Sequence, residues 1–379
     1  MYVSEILLKV LMWDNMLKVY TKEEAIAVLK GIMEKHNVDR LLVVHGKNSY
    51  KACGGDELIG RLFEMHNMQI ANFSEFTSDP KMEDVIKGYN VVQAVMPNAI
   101  VALGGGSAID MAKLIRRNLL PKRIPMIAIP TTAGTGSEVT QFAVCYKNDI
   151  KESVDYPDMI PEYSLLIPEL TQENNQYLTA CTGFDAFAQA VESLWNIHSN
   201  TTSEQYAKEA IVVLANALGR FAENAEVCMK DTEWRAQMME GAHLAGKAIN
   251  ITRTTAPHAM SYVLTSKYRY PHGHAVALTF PYFANLNINC EQALYMGANY
   301  GHYAEKMQWL RECLCVGNQN IFNYMKRFLC RMGLSYDKLR PIDVDVVAQS
   351  VNMQRAGNNP HMLNEAILRD AARCIKVDM

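Results

Sequence analysis

Three short apolar runs constrain this chain more than any other feature: LLVVHG (Leu41 to Gly46), AIVALGGG (Ala99 to Gly106) and IPMIAIPTT (Ile124 to Thr132). Each is apolar without a break, and continuous apolarity marks a strand covered on both faces. Between the runs, EEAIAVLKGIMEKH and MEDVIKGYNVVQAVM repeat apolar residues every three to four positions, the spacing of amphipathic helices. Helices alternating with doubly covered strands predict a doubly wound α/β domain on a parallel sheet. After the turn-rich YPDMIPEYSLLIPEL such runs largely vanish, and SEQYAKEAIVVLANALGRFAENA and EWRAQMMEGAHLAGKAIN predict long helices. At 379 residues the chain exceeds what a single core usually supports. We place the division near Pro168, with an α/β domain over 1–168 and a helical domain over 169–379. No internal repeat or low-complexity tract interrupts either part, and a cleft between the two is the expected location of a site.

Charge and cysteine usage narrow the class. A formal net charge of -3 and no dense Lys/Arg cluster leave no basic stripe for a nucleic-acid backbone. The nine cysteines lie scattered, and the close pair Cys313 and Cys315 is too tightly spaced for a zinc knuckle, so they read as reduced thiols of a cytoplasmic protein. The opening MYVSEILLKVLMWDN is apolar in flavour, but Glu5, Lys9 and Asp14 break it before a signal core or membrane span forms. A short strand is expected there, and no membrane partner.

The second apolar run enters Gly104, Gly105, Gly106 and Ser107 and then a helix opening near Ala108. Three glycines let the backbone approach a pyrophosphate, and the N–H groups and dipole of the helix start favour the anion. The third run enters PTTAGTGSEVT, where Thr131, Thr132, Thr135 and Ser137 crowd together with two glycines. Their hydroxyls and unencumbered N–H groups suit ribose, phosphate and amide contacts. Two such loops at the carboxyl ends of neighbouring strands meet the ligand rule for open α/β sheets.

In the helical half, Asp185 and Gln189 of TGFDAFAQAVES are four apart and share a helix face. His258 closes TTAPH and His272 opens PHGHA. One carboxylate, two imidazoles and an amide oxygen make a donor set for Fe²⁺ or Zn²⁺.

GGGSAIDMAK, PTTAGTGSEVT, TGFDAFAQAVES, the His258 segment and the PHG around His272 follow one another in the order and spacing of the iron-containing (group III) alcohol dehydrogenase family. The chain resembles that family over almost its whole length. The resemblance implies a Rossmann-like nucleotide domain followed by a helical one, the plan also found in dehydroquinate synthases. A cleft metal would polarise an alcohol or carbonyl oxygen. It implies Asp185, His258 and His272 as metal ligands, and Gly104 to Ser107, Asp110, Thr131, Thr132 and Lys151 as cofactor contacts, with Asp79 counted among them. It also implies a homo-oligomer, commonly a dimer.

Two positions depart from the family pattern. The fourth family ligand is usually His, and Gln189 stands in its place; an amide oxygen is a weaker donor than imidazole. Tyr262 stands where many relatives carry another active-site His, so its hydroxyl relays a proton or orients substrate, or its ring packs. Where many NAD-preferring relatives place an Asp after the first strand, this chain has Gly46, followed by Lys47, Asn48 and Ser49. Losing that repulsion and gaining a cation favours NADP(H) over NAD(H).

GFDAFAQAVESLWN, TTAPHAMSYVLTSKY and YPHGHAVAL resemble the phosphonoacetaldehyde reductase branch, implying reduction of phosphonoacetaldehyde to 2-hydroxyethylphosphonate. Arg253, Lys267, Arg269 and His274 are then candidates for the phosphonate. Tyr262 and His274 are candidate proton donors beside water and the ribose hydroxyls. Three rivals stand beside this reading: a general short-chain alcohol dehydrogenase, a dehydroquinate-synthase-like lyase, and a non-catalytic nucleotide-binding protein with a metal site impaired by Gln189.

Overall fold

The computed structural model describes residues 16–65, 68–78, 80–117, 123–147 and 150–377, so the strand expected over 1–15 lies outside the described residues. Two compact units emerge: residues up to Asn174 together with Met229–Glu240, and Asn175–Cys228 together with residues from Gly241 onward.

The first unit is built on six parallel strands, β1 (Met16–Lys18), β2 (Arg40–His45), β3 (Gln69–Phe73), β4 (Ala99–Gly104), β5 (Met126–Pro130) and β8 (Tyr163–Leu166), in the order β1-β8-β5-β4-β2-β3. Its helices are α1 (Lys22–Lys35), α2 (Ser49–Ala52), α3 (Gly55–Met65), α4 (Met82–Val95) and α5 (Gly106–Arg117). The unbroken apolar runs serve both faces of the sheet. Leu41, Val43, Val101, Leu103, Ile127 and Ile129 pack with Ile26, Leu29 and Ile32 of α1 and Leu58 and Leu62 of α3. Their immediate neighbours Leu42, Val44, Ile100, Ala102, Met126 and Ala128 pack on the opposite face with Val85 and Val92 of α4 and Ile109 and Ile115 of α5. Each fully buried Leu, Ile or Val contributes roughly 1.5–3 kcal/mol, so both faces of this sheet stabilise the unit.

β2 pairs with β3 on one side and β4 on the other, and the chain crosses back over β2 to reach β4. The order reverses there, so the carboxyl ends of β2 and β4, where His45 lies opposite Leu103, form a topological switch point. An antiparallel hairpin of β6 (Phe142–Lys147) and β7 (Ile150–Asp155) is an addition that the helix-strand alternation did not predict. Residues 229–240 join the first unit through Lys18 Nζ, which donates to Glu240 at 2.9 Å, and through Arg235, whose guanidinium donates to the Thr171 carbonyl at 2.6 Å.

The second unit is helical: α6 (Gln176–Trp195), α7 (Thr201–Glu223), α8 (Ala225–Lys230), α9 (Thr232–Thr252), α10 (Ala256–Ser266), α11 (His272–Ile288), α12 (Tyr300–Cys313), α13 (Ile321–Arg331), α14 (Val344–Gln349), α15 (Met353–Ala356) and α16 (Glu365–Ile375), with α8 and α9 lending Met229–Glu240 to the first. α6 is buried on nearly every side, which explains its apolar and small residues. It packs on α7 and α11, with Phe184 edge-on to Phe280 at 5.3 Å and Trp195 stacked on the same ring. α11 approaches α6 closely because residue 273 is glycine: a side chain there would overlap the Cys181 carbonyl and press on Asp185 Cβ. No described helix is long and apolar enough to cross a membrane, and all nine cysteines are free thiols.

Candidate functional site

The close contact at Gly273 sets the second unit's most distinctive cluster. Asp185 lies mid-way along α6, His258 in the first turn of α10 and His272 at the first position of α11. Ligand atoms of these three residues all lie within 4.8 Å of one another. His258 Nε2 is 3.0 Å from Asp185 Oδ1, and His272 Nε2 is 3.9 Å from the same oxygen. The amide of Gln189 donates to Asp185, while its own Oε1 is buried with no hydrogen-bond partner among the described residues. An orphaned buried acceptor costs about 1–3 kcal/mol. Two imidazole nitrogens and a carboxylate oxygen therefore converge in a way that fits a divalent ion, with the unpartnered Gln189 oxygen as the candidate fourth donor.

Behind His258 stands Glu192, fully buried one helical turn beyond Gln189. It accepts from His258 Nδ1 at 2.5 Å, and from the Thr255 N–H and hydroxyl at 2.6 and 2.9 Å. Trp195 Nε1 completes the network by donating to the Thr255 hydroxyl at 2.9 Å. With Nδ1 donating to Glu192, Nε2 is the nitrogen left facing Asp185, and release of its proton to an arriving ion would give the tautomer that a metal ligand needs. Burial opposes protonation of His258, but the Glu192 and Asp185 carboxylates outweigh it and push the imidazole up to about 9. Burial also works to raise Asp185, and the two histidines and the Gln189 amide reverse it, holding the carboxyl below its ordinary range.

Tyr262 adjoins this cluster, its ring stacked on His272 at 6.2 Å between centres and 13° between planes. Its oxygen accepts from Arg355 Nη1 at 2.5 Å. Burial raises the phenol above its usual range, against the lowering effect of that arginine. His274 turns elsewhere: Nε2 donates to the Ser335 carbonyl at 2.9 Å and Nδ1 accepts from the Tyr177 hydroxyl at 2.8 Å. Burial lowers its pKa, so it is held neutral with both nitrogens engaged. Arg253 caps the end of α9, donating to the Asn250 carbonyl at 2.6 Å, and Lys267 and Arg269 are exposed beyond α10.

In the first unit, the loop after β4 and the loop after β5 touch. A Cβ at Gly106 would lie 2.8 Å from Thr135 Cγ2, one at Gly105 would lie 3.5 Å from Thr132 Oγ1, and one at Gly104 would lie 2.8 Å from Ala108 Cβ. Side chains at these glycines would fill the cradle, and the first N–H groups of α5 have no intrahelical acceptor, which fits a pyrophosphate. Ser107 Oγ donates to the Ser78 carbonyl at 2.5 Å. The Thr131 N–H donates to the Gly104 carbonyl, and its own carbonyl accepts from Asn174. Asp110 accepts from the Ser137 hydroxyl and from the Val144 N–H, tying α5 to the second loop and to β6. Gly46 follows β2 at the switch point, and Lys47, Asn48 and Ser49 are exposed beyond it. Lys151 is a β7 position paired with Tyr146, and Asp79 lies outside the described residues.

These two constellations sit inside two matched family models, one for iron-containing alcohol dehydrogenase over residues 17–168 and one for the C-terminal part of the same family over residues 179–369. The chain belongs to the iron-containing alcohol dehydrogenase family. Among curated members, it is similar to the phosphonoacetaldehyde reductase of Streptomyces viridochromogenes, 28% identical over 73% of this chain and 76% of that protein. It is also similar to the NADPH-dependent butanol dehydrogenase of Clostridium saccharobutylicum, 26% identical over 94% of this chain and 96% of that protein. Against two other curated relatives the chain spans 57% and 36% of their lengths. A solved iron-containing alcohol dehydrogenase from Thermotoga maritima superposes with a TM-score of 0.78 at 25% identity, covering 97% of this chain and 99% of that one.

Within this iron-containing alcohol dehydrogenase fold, three polar residues escaped the sequence reading. Glu192 is one, and its only local signal is that it continues the Asp185–Gln189 stripe of α6. Lys113 is the second: fully buried, it donates to Ser137 Oγ and Thr140 Oγ1 at 3.1 Å and to the Phe142 carbonyl at 2.9 Å. Burial pulls its pKa down to about 8, against the pull of Asp110 and Glu138. Arg355 is the third, and no local pattern marks it.

Proposed function

We propose that the protein is a metal-dependent NAD(P)H oxidoreductase that reduces a small aldehyde to its alcohol, with phosphonoacetaldehyde as substrate and 2-hydroxyethylphosphonate as product. The convergence of Asp185, His258 and His272, with the orphaned Gln189 oxygen beside them, carries this reading. The reaction consumes aldehyde, reduced nicotinamide and one proton, and yields alcohol and oxidised nicotinamide. When bound, a divalent ion such as Fe²⁺ or Zn²⁺ supplies Lewis acidity toward a carbonyl oxygen, and the nicotinamide supplies the hydride. Glu192 keeps the His258 proton on Nδ1. Burial keeps the Tyr262 phenol protonated while the Arg355 donor on its oxygen makes it the better acid, so Tyr262 gives the proton to the product oxygen, whereas His274 spends both nitrogens on Tyr177 and Ser335. Thr132 and Thr135, beside the Gly104 to Gly106 cradle, orient the cofactor phosphates and amide.

The exposed Lys47 after Gly46 supports NADP(H) over NAD(H), as does similarity to an NADPH-dependent relative. That relative, a butanol dehydrogenase matching nearly the whole chain, also favours the second reading, a general short-chain alcohol dehydrogenase. A steady-state screen of the metal-reconstituted protein, with NADPH and NADH against phosphonoacetaldehyde and C2 to C4 aldehydes, separates the two. Preference for an uncharged aldehyde by about tenfold or more sinks the phosphonate assignment. Absence of both turnover and stoichiometric metal sinks the enzyme altogether and leaves a nucleotide-binding scaffold.

A further inference from the structure

We propose that Arg355 is the specificity-determining cation that receives the anionic end of the aldehyde, an assignment that rests on the reductase reading above. Its guanidinium is half-buried and lies 5.2 Å from the centre of the Tyr262 ring, the ring that stacks on the metal-ligating His272. A hydrogen bond to the Tyr262 oxygen fixes one arm of the guanidinium. No carboxylate of the described residues pairs with it, although Arg116, Arg117, Arg369 and Arg373 all have such partners.

A half-buried cation without a counter-ion is unfavourable on its own. The charge balance of the site says what would compensate it. Asp185 and Glu192 together neutralise a divalent ion, so in the loaded site the Arg355 charge is left over, beside the Tyr262 ring that stacks on His272. The guanidinium fork has donors to spare beyond Tyr262, and its geometry suits the oxygens of a phosphonate.

The backbone that carries Arg355 is held firmly. Asn352 caps α15 by accepting from the N–H groups of Gln354 and Arg355. Asn358 donates to the Thr254 carbonyl at 3.2 Å, next to the threonine that anchors Glu192, and Asn359 is buried against Asn287. Thus α15 and the start of α10 are positioned together, and the cation is preorganised rather than recruited. The three cations nearer to the ligand histidines in sequence do not fill this role: Arg253 caps α9, and Lys267 and Arg269 face solvent.

Two measurements on the protein loaded with metal and NADP(H) test the proposal. One is the ratio of kcat/KM for phosphonoacetaldehyde to kcat/KM for propanal; the other is calorimetric binding of ethylphosphonate, which has no carbonyl and cannot react. Arg355→Met is expected to lower the ratio roughly 10- to 100-fold, mainly through KM, and to weaken ethylphosphonate to a similar degree, with Arg355→Lys falling between. An unchanged ratio in Arg355→Met overturns the assignment. So does a loss of both substrates in parallel with ethylphosphonate binding unaltered, because that is what a purely structural prop for Tyr262 would produce. If the wild-type protein reduces no aldehyde, the reductase reading fails by itself, and the ethylphosphonate titration still decides on Arg355.

Discussion

Replacing Glu192 by Gln changes one atom and, on the geometry of this site, inverts a proton position. One carboxylate oxygen of Glu192 accepts both the N–H and the hydroxyl of Thr255, and the other accepts from His258 Nδ1. A glutamine that keeps its oxygen on the two Thr255 donors must turn its NH₂ toward His258. Nδ1 then has to accept, and the imidazole proton moves to Nε2, the nitrogen that faces Asp185 and would ligate the metal. The opposite amide orientation preserves the tautomer but faces the two Thr255 donors with a third. Either way the loaded site is disfavoured. Loss of such an outer carboxylate typically weakens metal binding about 10- to 100-fold, or about 1.4–2.7 kcal/mol. Chelator competition on wild-type and Glu192→Gln protein measures it directly, with circular dichroism to establish that the isosteric variant is folded. A metal affinity within threefold of wild type would refute the argument that Glu192 sets the His258 tautomer.

Gln189→His should tighten metal binding about tenfold, because imidazole is the better donor for Fe²⁺ or Zn²⁺; an unchanged or weaker affinity in the same competition assay would mean that residue 189 does not face the ion. Lys47→Glu should shift the ratio of NADPH to NADH kcat/KM toward NADH by about tenfold or more, since a carboxylate repels a 2′-phosphate; an unmoved ratio would remove Lys47 from cofactor recognition. Lys113 makes a prediction about pH. Its amine titrates near 8 when folded against an ordinary 10.5, so the unfolded chain binds more protons between those values and stability rises with pH there. The full penalty of about 3 kcal/mol applies below pH 8, and about 2 kcal/mol of it should be relieved between pH 7.5 and 9.5, relative to Lys113→Met, in denaturant unfolding. Parallel pH profiles for the two proteins would contradict this.

The parts of the fold that are legible in the sequence are those whose cause is local. Unbroken apolarity in LLVVHG, AIVALGGG and IPMIAIPTT reports a strand whose alternate side chains enter two different cores, as Leu42 and Val43 do. The β6–β7 hairpin has a fainter trace: Ala143 and Cys145 are buried between the half-buried Phe142, Val144 and Tyr146, a period-2 pattern too short to stand out beside helical spacing. The association of residues 229–240 with the first unit rests on Arg235 reaching Thr171 and Lys18 reaching Glu240, pairs separated by 64 and 222 positions, and no window of sequence contains them.

The site follows the same rule. Asp185 and Gln189 are visible as an i, i+4 pair, and His272 is marked by the glycine that follows it, which the close approach of α11 to α6 requires. Glu192 on an otherwise ordinary helix reads as a solvated charge, and only the arrival of Thr255 and His258 from α10 shows that it is buried and paired. Lys113 beside Asp110 likewise resembles a surface ion pair until Ser137 and Thr140 close over it. Arg355 meets Tyr262 across 93 positions.

All four candidate ligands belong to α6, α10 and α11 of the second unit, so the ion would act as a rivet through that unit alone. An ion present at about a thousandfold over its dissociation constant adds about 4 kcal/mol to whatever it fastens. Loss of the ion would then loosen the helical unit first, offering proteases a starting point there. The ligand arrangement would thus make the lifetime of the polypeptide in a cell a gauge of whether its metal is in place.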